Sequence, residues 1–188
     1  MKLHLSSATL IYFSLSLFLI HDWTIAAILS AIFIHEMAHL IVLWALGGKA
    51  TSLTITPLGL SIDRAGLLSH SGEIVLSLAA PILNIVLAAI YAHYDLNSCT
   101  TEANLSFGLI NLIPIYPLDG GKAFAAFLHS ITSAEKAARI SDVLSHICLI
   151  IVWMLGIATA LILKGGLSLL LLSIGLFITI APMSNTNK

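Results

Sequence analysis

AIFIHEMAHLIV, residues 31–42, places the pattern His-Glu-x-x-His inside a run of apolar residues. On a helix, His35 and His39 are four residues apart and share one face, so both imidazoles can bind one metal ion. Glu36 lies beside them and serves better as a base for water than as a ligand. The alternative is a pair of core histidines, but a charged group in a membrane span costs about 2.5 to 3.5 kcal/mol. The stretch therefore predicts a metal centre within a membrane.

The composition around this stretch is that of a polytopic membrane protein. The 188 residues are 59% hydrophobic and 9% charged, and the mean hydropathy is +1.03. A net charge of -1 gives no reason to expect nucleic acid as a partner, so partners are sought in the lipid bilayer or at its surface. Six hydrophobic runs are long enough to span a membrane: residues 3–20, 23–46, 72–94, 102–128 (interrupted), 140–163 and 167–182. Because the last run is short, five spans plus an interfacial helix stay open as an alternative.

The basic residues predict an orientation for these spans. With six spans and a cytoplasmic N-terminus, every lysine and arginine except Lys164 lies on the cytoplasmic side, as the positive-inside rule favours. Both termini are then cytoplasmic, and the second span runs from outside to inside. The His35–His39 pair falls just past the middle of that span, nearer the cytoplasmic face. No internal repeat or linker divides the chain, so residues 1–188 are expected to form one domain.

A catalytic zinc usually takes three protein ligands, and Asp119 is the candidate that differs from the rest. The other six histidines lie at or near span ends, where ordinary interfacial histidines are expected. Asp119 lies in NLIPIYPLDGG, residues 111–121, within the fourth span and at the depth of the histidine pair. Pro114 and Pro117 cannot continue a regular helix, and broken backbone at membrane depth survives where it lines a cavity or is buried. The alternative for Asp119 is a turn or helix-cap aspartate.

These two motifs resemble the paired signature of the site-2 protease family of intramembrane zinc metalloproteases. The resemblance covers roughly residues 23–125. It also includes residues 80–84, where Ala80 replaces the family's usual glycine before Pro81-x-x-Asn84, and residues 53–62, which resemble a membrane-associated β-hairpin. The short N-terminal span and the lack of a PDZ domain favour the sporulation-type branch, named for stage IV sporulation protein FB. The CBS domain seen in much of that branch is not expected in this chain.

The resemblance implies an all-α polytopic membrane fold of six transmembrane helices, with a short membrane-associated β-hairpin and a broken fourth helix. It implies one Zn²⁺ per chain, bound by His35, His39 and Asp119, with Glu36 as the catalytic base. Asn84 and Asn111 are candidate donors to the substrate or its oxyanion, or else form buried interhelical hydrogen bonds. The edge of Leu53, Thr54 and Ile55 could pair with an unwound substrate, unless the hairpin merely covers the site.

The function expected from this resemblance is cleavage of a transmembrane or membrane-tethered protein near the cytoplasmic side, in a bacterial or archaeal cell membrane. Two rivals stay open. A metal-ion transporter would also carry intramembrane histidine and acidic residues, although it need not keep Glu36 beside the histidines. A catalytically silent relative could bind client helices, and a homo-oligomer or a regulatory membrane partner stays open as well.

Overall fold

The computed structural model describes residues 2–5, 22–56, 59–66, 68–96, 98–163 and 175–176. Five helices and three strands make up this part of the chain. In order they are β1 (Lys2–Leu5), α1 (Asp22–Ala45), β2 (Lys49–Thr56), β3 (Gly59–Ala65), α2 (His70–His93), α3 (Ser98–Asn111), α4 (Asp119–Ile131) and α5 (Ala134–Leu163).

Three of these helices are long and apolar enough to cross a membrane: Thr24–Ala45, His70–His93 and Ala134–Thr159. They correspond to the predicted second, third and fifth spans, and they make the chain an integral membrane protein. The predicted count of six spans is not confirmed. The first predicted span is wrong at its start, because Lys2–Leu5 is a strand rather than a helix. Most of the first and sixth predicted spans lies outside the described residues, although Gly175 and Leu176 are helical.

The fourth predicted span is broken as the sequence indicates. Helix α3 ends at Asn111 and α4 begins at Asp119, with residues 112–118 between them. Pro114 and Pro117 lie in this connection, where neither proline has an N–H to continue a helical ladder. At 1.5 Å per residue, the 14 residues of α3 and the 13 of α4 extend about 21 and 20 Å, each short of the roughly 30 Å of hydrocarbon.

The strands form one sheet in the order β1-β2-β3. Strand β3 pairs antiparallel with β2, with Leu53 opposite Ile62, at the place where the sequence predicts a hairpin. The residues between the two strands, 57 and 58, lie outside the described part. Strand β1 pairs parallel with β2, with Leu3 opposite Leu53 and Leu5 opposite Ile55. Strand β2 is therefore central in this sheet, and the edge of Leu53–Ile55 already has a partner strand.

The helices bury small residues and expose large ones. Ala31 and Ala80 are fully buried, so the alanine that replaces the family's glycine is accommodated. At Gly108 a Cβ atom would lie 2.9 Å from the carbonyl oxygen of Pro81, which shows how closely α3 approaches α2. Phe33 and Trp44 are 66% and 81% exposed on α1. Small residues between helices and large apolar residues outside are the arrangement expected when lipid surrounds the helices.

Helix ends near the site carry the expected terminal residues. Gly47 has a φ of 77°, a left-handed conformation that glycine adopts readily, and it lies between the end of α1 at Ala45 and the start of β2 at Lys49. At the start of α2, the Ser69 hydroxyl accepts a hydrogen bond of 3.1 Å from the backbone N–H of Gly72. The end of α1 and the start of α2 thus lie on either side of the β2–β3 segment in the sequence.

Candidate metal centre

Three predicted ligands converge in the middle of the bundle. The Nε2 atoms of His35 and His39 lie 2.9 and 3.0 Å from Asp119 Oδ2, and they are 3.2 Å from each other. The two histidines are one turn apart on α1, and their rings meet edge to face. All three residues are buried. Helix α1 thus supplies two of the ligand atoms, and the first residue of α4 supplies the third.

The hydrogen bond at the far side of His39 decides what its Nε2 can do. The Nδ1 atom of His39 lies 2.9 Å from the carbonyl oxygen of Leu76, and a carbonyl only accepts, so Nδ1 carries the proton. In the neutral imidazole, Nε2 then presents a lone pair toward the Asp119 carboxylate. Two groups rich in electrons repel at 3.0 Å unless a cation lies between them. The donor set therefore fits a metal ion.

The spacing of the three atoms also fits one ion of the size of zinc. Zinc binds nitrogen and oxygen ligands at about 2.0 to 2.2 Å, which gives a tetrahedron with edges of roughly 3.4 Å. The observed edges of 2.9, 3.0 and 3.2 Å are no longer than this, so one ion can reach all three atoms. Among the described residues, His35, His39 and Asp119 form the group of histidine, cysteine and acidic side chains with this property.

Asp119 is held in place by its helix and by the connection before it. It is the first residue of α4, where the helix dipole favours a negative charge. Gly120 and Gly121 follow, and the connection passes directly against both. A Cβ atom on Gly120 would lie 2.2 Å from the Leu112 carbonyl oxygen, and one on Gly121 would lie 2.4 Å from the Ile115 carbonyl carbon. Only glycine permits this approach, so the two glycines fix where Asp119 stands.

Helix α5 supports the same connection. The Ser145 hydroxyl accepts a hydrogen bond of 3.0 Å from the backbone N–H of Tyr116. Ile115 and Leu118 are buried in an apolar cluster with Leu149 and Val152 of α5. The connection of residues 112–118, which precedes Asp119, is therefore held by one hydrogen bond and by apolar packing. Both contacts come from α5, which carries no ligand.

Glu36 is buried directly after His35 on α1, 6% exposed. The two asparagines named from the sequence make defined contacts of other kinds. The side-chain amide of Asn84 donates to the carbonyl oxygen of Ala31 at 3.2 Å, one turn before His35. The amide of Asn111 donates to the Phe107 carbonyl oxygen of its own helix at 3.0 Å. The base role of Glu36 and the oxyanion role of the asparagines stay predictions.

Sequence reasoning missed three supports of the site. Leu76 acts through its carbonyl oxygen, which no side-chain pattern reveals. Ser145 acts across 29 positions and has no local signal. Lys122 is different, because its Nζ lies 3.2 Å from Asp119 Oδ1 at a spacing of three residues on one helix. A search for oppositely charged pairs three or four residues apart would have found it.

The fold and the site define a class: an integral membrane protein with a buried cluster of two histidines and one carboxylate that could hold a metal ion. Residues 94–155 match the family described as Peptidase family M50. A protein of Methanocaldococcus jannaschii named a zinc metalloprotease is 28% identical over 145 residues, 68% of this chain and 42% of that protein. Stage IV sporulation protein FB of Bacillus subtilis is 25% identical over 151 residues, 75% of this chain and 52% of that protein.

The fold has a solved counterpart. The structure of a site-2 protease from Methanocaldococcus jannaschii matches with a TM-score of 0.70 and 19% identity, covering 94% of this chain and 87% of that one. The resemblance to the site-2 protease family is confirmed by these matches. A protein of the sporulation-type branch is among the relatives. The chain spans about half the length of the curated relatives it matches.

Proposed function

We propose that this chain is a zinc-dependent intramembrane endopeptidase. The observation that carries the proposal is the convergence of His35, His39 and Asp119 within 3.2 Å of one another inside apolar helices, with Glu36 next to a ligand. When bound there, zinc would supply a Lewis acid that lowers the pKa of water and polarises a carbonyl oxygen. The relative named a zinc metalloprotease supports the choice of metal and of reaction.

Glu36 is the residue proposed to move protons. A carboxylate next to the ligand His35 can accept a proton from the attacking water and pass it to the leaving amine of the cleaved peptide bond. His35, His39 and Asp119 hold the centre without exchanging protons themselves. Burial of Glu36 keeps bulk water from competing for its carboxylate. The reaction class is hydrolysis of a peptide bond.

The proposed substrate is a transmembrane or membrane-tethered protein. A peptide bond in a membrane helix is protected by its own hydrogen bonds, so the substrate must unwind before attack. The sequence predicts that the strand edge at Leu53–Ile55 holds the unwound substrate in an extended conformation. In the described sheet that edge pairs with β1, so a substrate strand would either replace β1 or add to an outer edge of the sheet.

The proposed topology places both termini and the sheet on the cytoplasmic side. Under it, the start of α2 and the end of α4 lie at the same membrane face, and the stacked rings of His70 and His129, with centroids 6.2 Å apart, support this. His39 is six residues before the end of α1, or about 9 Å from that face. Cleavage is therefore proposed nearer the cytoplasmic side, in the cell membrane of a bacterium or an archaeon.

Glu36→Gln tests the function. The purified chain is reconstituted with zinc in lipid vesicles, together with a panel of fluorescently labelled single-span and membrane-tethered proteins. Loss of the base should lower cleavage about 10² to 10⁴-fold while zinc content stays at one ion per chain. Glu135→Gln is the matched control, because Glu135 is an exposed carboxylate at the start of α5.

Two outcomes count against the proposal. Cleavage by Glu36→Gln at the wild-type rate removes Glu36 from the mechanism. Zinc flux across the vesicle membrane that depends on His39, with no cleavage of any panel member, would favour the transporter instead. A homo-oligomer or a regulatory partner can be sought in the same vesicles by crosslinking.

A further inference from the structure

The two oxygens of the Asp119 carboxylate have different surroundings. Oδ2 lies at 2.9 and 3.0 Å from the two histidine nitrogens, whereas Oδ1 lies 3.2 Å from Lys122 Nζ. One oxygen thus belongs to the metal centre and the other to an ammonium group. A carboxylate with both oxygens unrestrained can rotate and bind a metal through either one or both.

Lys122 reaches this carboxylate from a favourable position. It lies three residues after Asp119 on α4, on the same face of the helix. Its side chain is 43% exposed, whereas the Asp119 side chain is 7% exposed. The partly exposed side chain of Lys122 therefore places its ammonium group against a buried carboxylate oxygen. The ion pair between Glu135 and Arg139 is unlike it, because those side chains are 87% and 78% exposed and 3.7 Å apart.

The three candidate ligands can be compared by the partner that each one has on the side away from the metal centre. Metal-binding side chains in proteins are oriented by partners behind them, and loss of such a partner typically lowers metal affinity about 10 to 100-fold. His39 has such a partner in the Leu76 carbonyl oxygen. His35 Nδ1 has no hydrogen-bond partner within the part of the chain that the structure describes. Asp119 has Lys122.

We propose that Lys122 is a positioning residue for the metal ligand Asp119: by binding Oδ1, it leaves Oδ2 alone to bind the metal. The inference deepens the proposed function and rests on its metal centre. Lys122 takes no part in proton transfer and does not touch the metal. Its removal should lower zinc affinity and free Oδ1 to bind the metal as well.

The experiment compares Lys122→Met, which keeps a similar unbranched stem without the charge, and Lys122→Arg, which keeps charge and donors. Zinc affinity is measured on the purified full chain by competition with a chelator. Lys122→Met should bind zinc about 10 to 100-fold more weakly, and Lys122→Arg should restore most of the loss. Lys136→Met is the control, since Lys136 is an exposed lysine near the start of α5.

A spectroscopic measurement separates positioning from a general loss of stability. Co²⁺ absorbs strongly in the visible when four-coordinate and weakly when five-coordinate. The Co²⁺ form of Lys122→Met should lose intensity as Oδ1 joins the metal, while thermal midpoints without metal stay equal to wild type. An unchanged affinity and spectrum in Lys122→Met would overturn the inference, as would equal loss in Lys122→Met and Lys122→Arg.

The proposed function fails in a different way. If the wild-type chain binds no zinc, or if Asp119→Ala binds zinc as tightly as wild type, the metal centre itself is wrong. If the wild type binds zinc, Asp119→Ala does not, and Lys122→Met is normal, then only the role of Lys122 is wrong. The two failures are therefore told apart by the Asp119 variant.

Discussion

Gly120→Ala should disable the metal centre without changing any ligand. The added Cβ would lie 2.2 Å from the Leu112 carbonyl oxygen, 2.4 Å from the Leu112 carbonyl carbon and 2.8 Å from the Ile113 carbonyl oxygen. These atoms are backbone and cannot rotate away. Since a carbon and an oxygen at contact need more than 3 Å, the connection and the start of α4 must separate by about 1 Å.

That displacement acts directly on Asp119, the preceding residue. A displacement of about 1 Å at a catalytic site can cost on the order of 100-fold in rate. We expect zinc affinity to fall by a factor of about 10 to 100, as when an outer partner of a ligand is lost. The assay is chelator competition on the purified chain, together with cleavage of whichever panel protein the wild type cuts. Helix content by circular dichroism should stay near wild type.

Gly72→Ala is the matched control for this prediction. Gly72 is also a helical glycine, but its Cβ would meet the Ser69 hydroxyl at 3.3 Å and the Leu68 Cβ at 3.4 Å, which small shifts can relieve. Alanine is also the better helix former, by about 1 kcal/mol. Gly72→Ala should therefore bind zinc normally. Wild-type zinc affinity and cleavage in Gly120→Ala would refute the claim that close backbone approach fixes Asp119.

Two further changes test the supports of the site. Asn84→Leu removes the hydrogen bond to the Ala31 carbonyl and should lower stability by about 0.6 kcal/mol, seen as a lower thermal midpoint in detergent; an unchanged midpoint would show that this bond contributes nothing. Ser145→Ala leaves the Tyr116 N–H without its acceptor and should cost about 1 to 3 kcal/mol, with weaker zinc binding because the connection loosens; a normal zinc affinity would contradict that link.

The three side chains that meet in the candidate metal centre could be predicted because each is marked by a local rule. His35 and His39 follow from the four-residue spacing of a helix, and Asp119 follows from prolines that break a span. The charge bias and hydropathy indicated that both motifs lie at similar depth. The two motifs depend on neighbouring residues and the charge bias on a count over the whole chain, so none of these signals required the fold.

Other features depend on distant parts of the chain and left no such mark. Strand β1 pairs with residues about 50 positions later, and its sequence reads simply as the start of an apolar run. The prediction of a helix from Leu3 was wrong for this reason. Pairing by backbone hydrogen bonds carries no side-chain signature, so the occupied edge of β2 was equally hidden from the pattern of alternating residues.

Lys122 lies on the same helix as Asp119, but two other supports of the metal centre come from helices that carry none of its ligands. Helix α2 contacts α1 at His39 through the Leu76 carbonyl, and one turn before His35 through Asn84 at Ala31. Helix α5 holds the connection before Asp119 through Ser145. In a membrane, an unsatisfied polar group is costly, so these contacts also decide how the helices pack. A change in the packing of α2 or α5 would therefore alter the metal centre. Substitutions in these helices, although far from any ligand, should change its geometry.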